Sequence, residues 1–237
     1  MGQRHRGDAK GRVLLVVHAP GPRIDRVSQR IAERGYEVRW WHSYRGDPIP
    51  GPEDGYEAMV VYGGAQSAND SGSLDFLAQE IRSIEAWVKA EKPFLGICLG
   101  GQLLCRALGG SVAPHPEGCW EVGYEPIEAT EAGAGLFPET LHVYHWHKEG
   151  FSLPHGCELL AAGETFPNQA FRYGPSAFGL QFHPEVTPAI MCRWTEQAAH
   201  CLAEPGAQPA TKQFCDARRY HAPLGDWLDG FLDRWLE

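Results

Sequence analysis

The sequence predicts an α/β protein in which helices cover both faces of a mostly parallel β-sheet. Short apolar runs alternate along the first half of the chain with segments whose apolar residues recur at helical spacing. Strands that alternate with helices in this way form parallel sheets that are buried on both faces. The chain has 237 residues, 43% of them hydrophobic, which is enough to enclose one sizeable core. We therefore expect a doubly wound domain.

Each element follows from its own local pattern. The predicted strands are continuous apolar runs, and they lie at residues 13–18, 37–41, 56–62 and 94–98. The predicted helices carry apolar residues three or four positions apart, and they lie at residues 23–34, 74–91 and 99–108. Right-handed crossovers between the parallel strands would then determine on which face of the sheet each helix packs.

Residues 111–182 differ from the first half because their segments are shorter and their turns more frequent. This pattern favours antiparallel hairpins, one around Ser111–Val112 and one around Val122–Ile127. We interpret the region as an antiparallel edge extension of the same sheet. The main domain is accordingly assigned to residues 1–203.

The last segment, residues 204–237, is predicted to be a linker followed by an amphipathic helix. Residues 203–209 are rich in alanine, proline and glycine, a composition typical of a linker. Apolar residues then recur at helical spacing as Trp227, Leu228, Phe231, Leu232, Trp235 and Leu236. We expect this apolar face to pack on its own domain; the alternative is a docking face for a partner or a second copy of the chain.

Composition argues against several classes of protein. The net charge of −9, with no basic stripe, argues against nucleic-acid binding. No apolar run approaches the roughly 20 residues of a membrane span, and the polar residues 1–10 do not resemble a secretory signal. Seven cysteines without CxxC spacing favour free thiols over disulfides or a zinc site. A cytoplasmic protein without membrane or nucleic-acid partners is expected.

The most informative motif is the run Pro-Phe-Leu-Gly-Ile-Cys-Leu-Gly-Gly-Gln at residues 93–102. It predicts a buried strand, a sharp turn with Cys98 at its apex, and a helix behind it, which is the geometry of a nucleophile elbow. Gly96 and Gly100 allow the strand and the helix to approach closely. A helix N-terminus also favours the thiolate form of cysteine. A lone buried cysteine is usually only a small core residue, but these surroundings indicate a nucleophile.

A second motif, Gly-Leu-Gln-Phe-His-Pro-Glu at residues 179–185, supplies the groups that a cysteine nucleophile needs. His183 ends an apolar strand and precedes a proline, which favours an extended backbone there. Glu185 stands two residues later and could orient the imidazole ring. A histidine that carries the proton and an acid that orients it complete a triad hypothesis of Cys98, His183 and Glu185.

These two motifs resemble the signatures of the class I (triad) glutamine amidotransferases, Gly-Ile-Cys-Leu-Gly-x-Gln and Gln-Phe-His-Pro-Glu. Both stand unbroken and in order, and Gly63-Gly64 at the end of an apolar strand matches the family's oxyanion loop. The resemblance runs from about residue 13 to about residue 193. It extends to His145-Trp146-His147 and to residues 169–172, as in stand-alone proteins similar to the amidotransferase domain of GMP synthase. It implies a flavodoxin-like fold.

The resemblance also implies an activity, which is hydrolysis of the glutamine side-chain amide through a γ-glutamyl thioester on Cys98. It assigns backbone N–H groups of Gly64 and Leu99 to the oxyanion hole. The residues that it assigns to substrate binding are Gly63, Gln102, His145, Trp146 and His147. This chemistry calls for no metal and no cofactor. Lys148-Glu149 and Gly101 depart from the family's usual residues, and they put substrate recognition and the packing of the elbow helix in question.

Three functions remain open at this point. The first is a glutaminase whose ammonia passes to a partner, a separate synthetase subunit. The second is a γ-glutamyl peptidase that forms the same thioester from glutathione-like conjugates. The third is a regulatory or binding module that keeps the fold without the activity, and the intact set of catalytic residue types argues against it.

Overall fold

A nine-stranded mixed sheet dominates the part of the chain that the structure, a computed structural model, describes, namely residues 9–22 and 24–237. Its strands are β1 (Arg12–Val17), β2 (Glu37–His42), β3 (Ala58–Val61), β4 (Phe94–Ile97), β6 (Glu121–Ala129), β7 (Thr140–His147), β9 (Cys157–Ala162), β10 (Ala170–Tyr173) and β11 (Ala177–Leu180). Two further strands, β5 (Val112–Pro114) and β8 (Glu149–Phe151), form a separate pair. The helices are α1 (Arg26–Glu33), α2 (Asp75–Lys89), α3 (Leu99–Ala107), α4 (Pro188–Gln197) and α5 (Ala210–Trp235).

The strand order is β2-β1-β3-β4-β11-β10-β9-β6-β7. The first five of these strands pair in parallel, and the rest pair antiparallel. One apolar cluster packs α1 and α5 against one face, and a second packs α2 and α3 against the other. The predicted fold class, a flavodoxin-like doubly wound sheet with an antiparallel extension, is confirmed.

The helices begin and end close to their predicted positions. Helix α1 begins at Arg26 because the side chain of Asp25 caps it, accepting a hydrogen bond from the Ser28 N–H at 2.8 Å. The predicted start at Arg23 lies outside the described residues. Helix α4 is capped in the same way by Thr187, with a proline in its first turn.

One predicted hairpin is wrong. Strand β5, near Ser111–Val112, pairs antiparallel with β8 and not with a strand next to it in sequence. The reason is burial, since Val112 and Phe151 of this pair belong to the apolar cluster under α2 and α3. The second expected antiparallel region is present, because β6 pairs with β7 from Glu121 to Glu128.

The C-terminal helix packs against the rest of the protein. Trp227, Leu228, Phe231, Leu232 and Trp235 are buried in the same cluster as the strands of the sheet. Helix α5 begins at Ala210, so it is longer than its apolar pattern indicated. The division of the chain at residue 203 stays a prediction. Among the described helices, none has the length and apolar character that a membrane span requires.

Candidate active site

Cys98 occupies the sharp turn between β4 and α3, as the elbow motif predicts. Its φ of 51° and ψ of −107° lie in a region that residues with a side chain seldom adopt. The turn is held by a hydrogen bond from the Cys98 N–H to the Leu180 carbonyl oxygen at 2.7 Å. It also requires glycine nearby, since a Cβ on Gly96 would lie 2.4 Å from the Gly100 carbonyl oxygen. Strain of this kind persists where function maintains it.

The Cys98 thiol is nearly enclosed, with 6% of the residue exposed. Its Sγ lies 4.0 Å from the carbonyl oxygen of Trp146 and 3.9 Å from Nε2 of Gln181. Leu99 is the first residue of α3, and the first N–H groups of a helix have no partner within it. Cys98 is the N-cap residue of this helix, so it stands at the helix end that carries partial positive charge.

His183 and Glu185 form a buried pair beside the elbow. Nδ1 of His183 lies 2.7 Å from Oε1 of Glu185, and the His183 N–H donates to the Tyr144 carbonyl oxygen at 2.8 Å. Burial lowers the pKa of His183, but the negative charges of Glu185 and Cys98 outweigh burial and raise it to about 10. Cys98 also interacts with the His183 ring, whose Nε2 makes no other hydrogen bond among the described residues and is available to exchange a proton.

Gly63 shows how closely the predicted triad residues converge. A Cβ built on Gly63 would lie 2.8 Å from Cε1 of His183 and 3.5 Å from the Cβ of Cys98. Both side chains therefore border the loop that follows β3. The structure thus brings Cys98, His183 and the Gly63-Gly64 loop to one end of the parallel strands, where ligands bind in open α/β sheets.

Neighbouring elements fix the segment that carries Glu185. The backbone N–H of Arg26 donates to the Glu185 carbonyl oxygen at 2.9 Å, and Nη1 of Arg26 donates to the Pro184 carbonyl oxygen at 3.2 Å. Nη2 of Arg26 also donates to the carbonyl oxygen of His221, which belongs to α5. The C-terminal helix therefore supports the His183–Glu185 segment through Arg26.

The residues predicted to bind substrate have different surroundings. Nε2 of Gln102 donates to the Glu149 carbonyl oxygen at 2.9 Å and to Oε1 of Gln181 at 3.3 Å, so the amide of Gln102 holds β8 to the elbow helix. The indole ring of Trp146 packs against Trp194, with 5.7 Å between ring centroids. The backbone of Trp146 reaches the thiol, as described above.

His145 and His147 point their side chains at Glu121. Oε2 of Glu121 lies 2.9 Å from Nε2 of His147, 3.4 Å from Nδ1 of His145 and 2.8 Å from Nε2 of Gln169. Burial raises the pKa of Glu121, but these neighbours outweigh it and lower the pKa to about 2. The three ligand-type side chains could hold a cation, as their ligand atoms lie within 4.8 Å of one another. The neighbouring side chains already hydrogen-bond the carboxylate of Glu121, so a cation is not required to satisfy it.

The two departures from the family's motifs lie in different environments. Lys148 is exposed, and its Nζ lies 5.6 Å from the ring centroid of Trp120. Glu149 takes part through its backbone carbonyl, which accepts from Gln102 and from Nδ1 of His147. Gly101 is required by packing, because a Cβ there would lie 2.7 Å from the Leu180 carbonyl oxygen.

Sequence reasoning missed three polar residues beside the site. Gln181 contacts the thiol, and it stands inside the second motif, which was a signal that it could be involved. His18 and Glu80 form a fully buried pair behind Gly63-Gly64. A polar residue directly after a buried strand was the available signal for His18, whereas Glu80 lies within an apolar helix stripe and offered none.

With this geometry in place, comparison with known proteins gives the family. A family model described as glutamine amidotransferase class-I matches residues 24–193. The chain belongs to the class-I glutamine amidotransferases. The predicted family is thus confirmed. This class-I chain is 35% identical over 232 residues to the glutamine amidotransferase-like protein YfeJ of Salmonella typhimurium, a match that covers 94% of this chain and 96% of that protein.

Two further relatives agree with this assignment. A glutamine-hydrolyzing GMP synthase subunit of Ignicoccus hospitalis is 32% identical over 180 residues, covering 73% of this chain and 89% of that protein. The crystal structure of a glutamine amidotransferase from Thermotoga maritima superposes with a TM-score of 0.86 at 31% identity, covering 96% of this chain and 98% of that one.

Proposed function

We propose that the protein hydrolyses the side-chain amide of glutamine through a γ-glutamyl thioester on Cys98. The observation that carries the proposal is the strained cysteine at the elbow, enclosed with the buried His183–Glu185 pair at the same end of the sheet. Class-I family membership supports glutamine as the amide donor. The assignment of Cys98 as nucleophile, His183 as proton carrier and Glu185 as orienting acid belongs to this proposal.

In this proposal the reaction has two halves. The Cys98 thiolate attacks the side-chain amide carbon, and the N–H groups of Gly64 and Leu99 stabilise the resulting oxyanion. The imidazolium of His183 gives its proton to the departing nitrogen, so ammonia leaves and the thioester remains. Water, losing a proton to His183, then attacks the thioester and releases glutamate and the Cys98 thiolate. Glu185 holds the ring through Nδ1 in both halves.

The first test is glutamate release from glutamine by the purified protein and by its Cys98→Ala variant. We expect turnover by the wild type and none by the variant, because the variant lacks the thiolate on which the thioester forms. Cys192→Ala is the matched control, since Cys192 is exposed on α4 and its removal should leave turnover unchanged. Turnover that survives in Cys98→Ala, or is lost equally in Cys192→Ala, would refute the nucleophile assignment.

The same assay compares glutamine with γ-glutamyl peptides as substrates. We expect glutamine to have the higher kcat/KM, because Cys98 and His183 are only 6% and 3% exposed and a peptide leaving group needs more room than ammonia. A peptide preference above about tenfold, or ~1.4 kcal/mol, would show instead that the protein is a γ-glutamyl peptidase.

We further infer that the ammonia is delivered to a separate synthetase subunit. Support comes from the relatives that are GMP synthase subunits, since a protein named as one subunit works with others. Adding a candidate synthetase subunit should raise glutamine turnover and allow glutamine to replace ammonium salts in the synthetase reaction. A glutaminase rate that no such subunit changes, together with no glutamine-dependent amination, would contradict this inference.

A further inference from the structure

A buried histidine and glutamate lie directly behind the Gly63-Gly64 loop. His18 follows the last residue of β1, Glu80 lies on α2, and both side chains are 0% exposed. Nε2 of His18 lies 2.9 Å from Oε1 of Glu80, and Nδ1 of His18 lies 3.2 Å from the carbonyl oxygen of Gly63. Burial of a charged pair costs free energy, so its position beside this loop calls for a physical explanation.

Both partners of His18 are hydrogen-bond acceptors. A backbone carbonyl can only accept, so Nδ1 of His18 carries a proton; beside an ionised Glu80, Nε2 carries one too and the ring is an imidazolium. Although burial lowers the pKa of His18, the charge of Glu80 and the hydrogen bonds to Glu80 and Gly63 raise it above its ordinary value of 6.5. Nδ1–H therefore donates to the Gly63 carbonyl.

Because the peptide between Gly63 and Gly64 is planar, the contact of His18 with the Gly63 carbonyl also fixes the direction of the Gly64 N–H. The Gly63 carbonyl and the Gly64 N–H belong to one planar trans peptide, in which the two groups point in opposite directions. Holding the carbonyl toward His18 thus holds the N–H on the opposite side. No described residue accepts a backbone hydrogen bond from the Gly64 N–H.

Packing restricts the same peptide from both sides. A Cβ built on Gly64 would lie 2.9 Å from the Cβ of His18 and 2.8 Å from Cδ2 of Leu99. The loop is therefore enclosed between the buried histidine and the first residue of the elbow helix. Its N–H remains as a fixed donor that the described backbone does not use.

We propose that His18, held by Glu80, is a positioning residue that orients the Gly63-Gly64 peptide so that the Gly64 N–H meets the oxyanion of the reaction. The inference rests on the proposed function, which assigns that N–H to the oxyanion hole. His18 touches no substrate and acts only through the peptide. Its contribution appears in the transition state, where the oxyanion is formed.

The test uses two near-isosteric variants that differ in where they place an amide group. The side-chain nitrogen of His18→Asn can take the position of Nδ1 and still donate to Gly63, whereas His18→Gln places its amide at the position of Nε2, toward Glu80. The probe is acylation of Cys98 by p-nitrophenyl acetate, followed as release of nitrophenolate, alongside glutamine turnover. We expect His18→Asn to stay within about threefold of wild type and His18→Gln to lose about 100-fold in acylation and kcat, with KM for glutamine unchanged.

The control is alkylation of Cys98 by iodoacetamide, which displaces iodide at carbon and forms no oxyanion. Its rate should be equal in wild type and both variants. Equal acylation rates in His18→Asn and His18→Gln, or an alkylation loss that matches the acylation loss, would overturn the proposal. Should His18→Gln fail to fold, ¹⁵N NMR of the wild type decides, because a His18 ring without a proton on Nδ1 would also overturn it.

The ester substrate makes a failure of this proposal distinguishable from a failure of the proposed function. A wild-type protein that is acylated by p-nitrophenyl acetate but releases no glutamate from glutamine would refute glutamine hydrolysis. The two His18 variants would still decide, from their ester acylation rates, whether the loop is positioned as proposed.

Discussion

The elbow end of the sheet and its antiparallel extension each bury histidine against glutamate, yet the histidines ionise in opposite ways. At the elbow, Glu185 has His183 as its one side-chain hydrogen-bond partner among the described residues, at 2.7 Å, and the charges of Glu185 and Cys98 outweigh burial and raise the pKa of His183 to about 10. In the extension, Glu121 is shared with His147 and Gln169, and His145 lies farther from it, at 3.4 Å. Burial, together with the positive charges of His147 and His183, then outweighs the charge of Glu121 and lowers the pKa of His145 to about 3.

The difference shows that burial alone does not decide whether a histidine is charged. A carboxylate in close contact with one ring can hold the imidazolium form, whereas a carboxylate shared among several donors cannot do so for each of them. The elbow pair is thus suited to moving a proton. The extension cluster is suited to holding β6, β7 and the segment before β10 together.

The largest expected effect is on kcat, and it distinguishes Glu185 from Glu121. Glu185→Gln should lower kcat by about 10³-fold, because the ring loses the charge that stabilises its protonated form. Glu121→Gln should change kcat by less than about tenfold, since Glu121 contacts neither the thiol nor His183 among its hydrogen-bond partners. Steady-state glutamate release measures both, with circular dichroism as the control for folding. Equal losses in the two variants would remove the functional distinction between the clusters.

The elbow region was the part of the site that sequence predicts well. Cys98 and His183 stand at positions whose local pattern is distinctive, a glycine-bracketed turn and a histidine before proline near the end of a strand, and Glu185 is a candidate only through its nearness to His183 in sequence. The doubly wound sheet followed from the same kind of information, because its strands are continuous apolar runs. These features depend on neighbours in sequence.

The extension cluster was not predictable because its members meet only through tertiary structure. Glu121 has the pattern of an ordinary strand residue, and Gln169 lies 48 residues away from it. The partner of β5 was mistaken for the same reason, since strand pairing between residues 112 and 151 depends on a core that local pattern does not define. Glu80 is the extreme case, as its partner His18 is 62 residues distant.

A smaller effect, on the free energy of unfolding, distinguishes His147 from His145 within the extension. His147→Leu should lower the free energy of unfolding by about 3 kcal/mol, because it leaves the buried carboxylate of Glu121 without its nearest histidine donor. His145→Leu should cost less than about 1 kcal/mol, since the two contacts of its Nδ1, with Glu121 at 3.4 Å and with Nε2 of His147 at 3.3 Å, are long and its Nε2 has no partner among the described residues. Urea denaturation of both variants measures the difference. A larger loss in His145→Leu would contradict the assignment of His147 as the main histidine partner.

The last prediction concerns the pH dependence of stability in the two regions, to which each group contributes at most about 1.4 kcal/mol per pH unit. The folded pKa of His183, about 10, exceeds its ordinary value of 6.5, so its contribution is complete below pH 6.5 and is lost as the pH rises through 10. The folded pKa values of His145 and Glu121, about 3 and about 2, lie below their ordinary 6.5 and 4.5. Their contributions are therefore present above those ordinary values and are lost as the pH falls.

The test is the free energy of unfolding measured between pH 3 and pH 10. In His183→Gln the decline at alkaline pH should disappear, and in Glu121→Gln part of the decline at acid pH should disappear. Cys98→Ala provides the sharper test, because loss of the Cys98 charge should move the alkaline decline toward lower pH. An alkaline decline that stays unchanged in that variant would contradict the contribution of Cys98 to the pKa of His183.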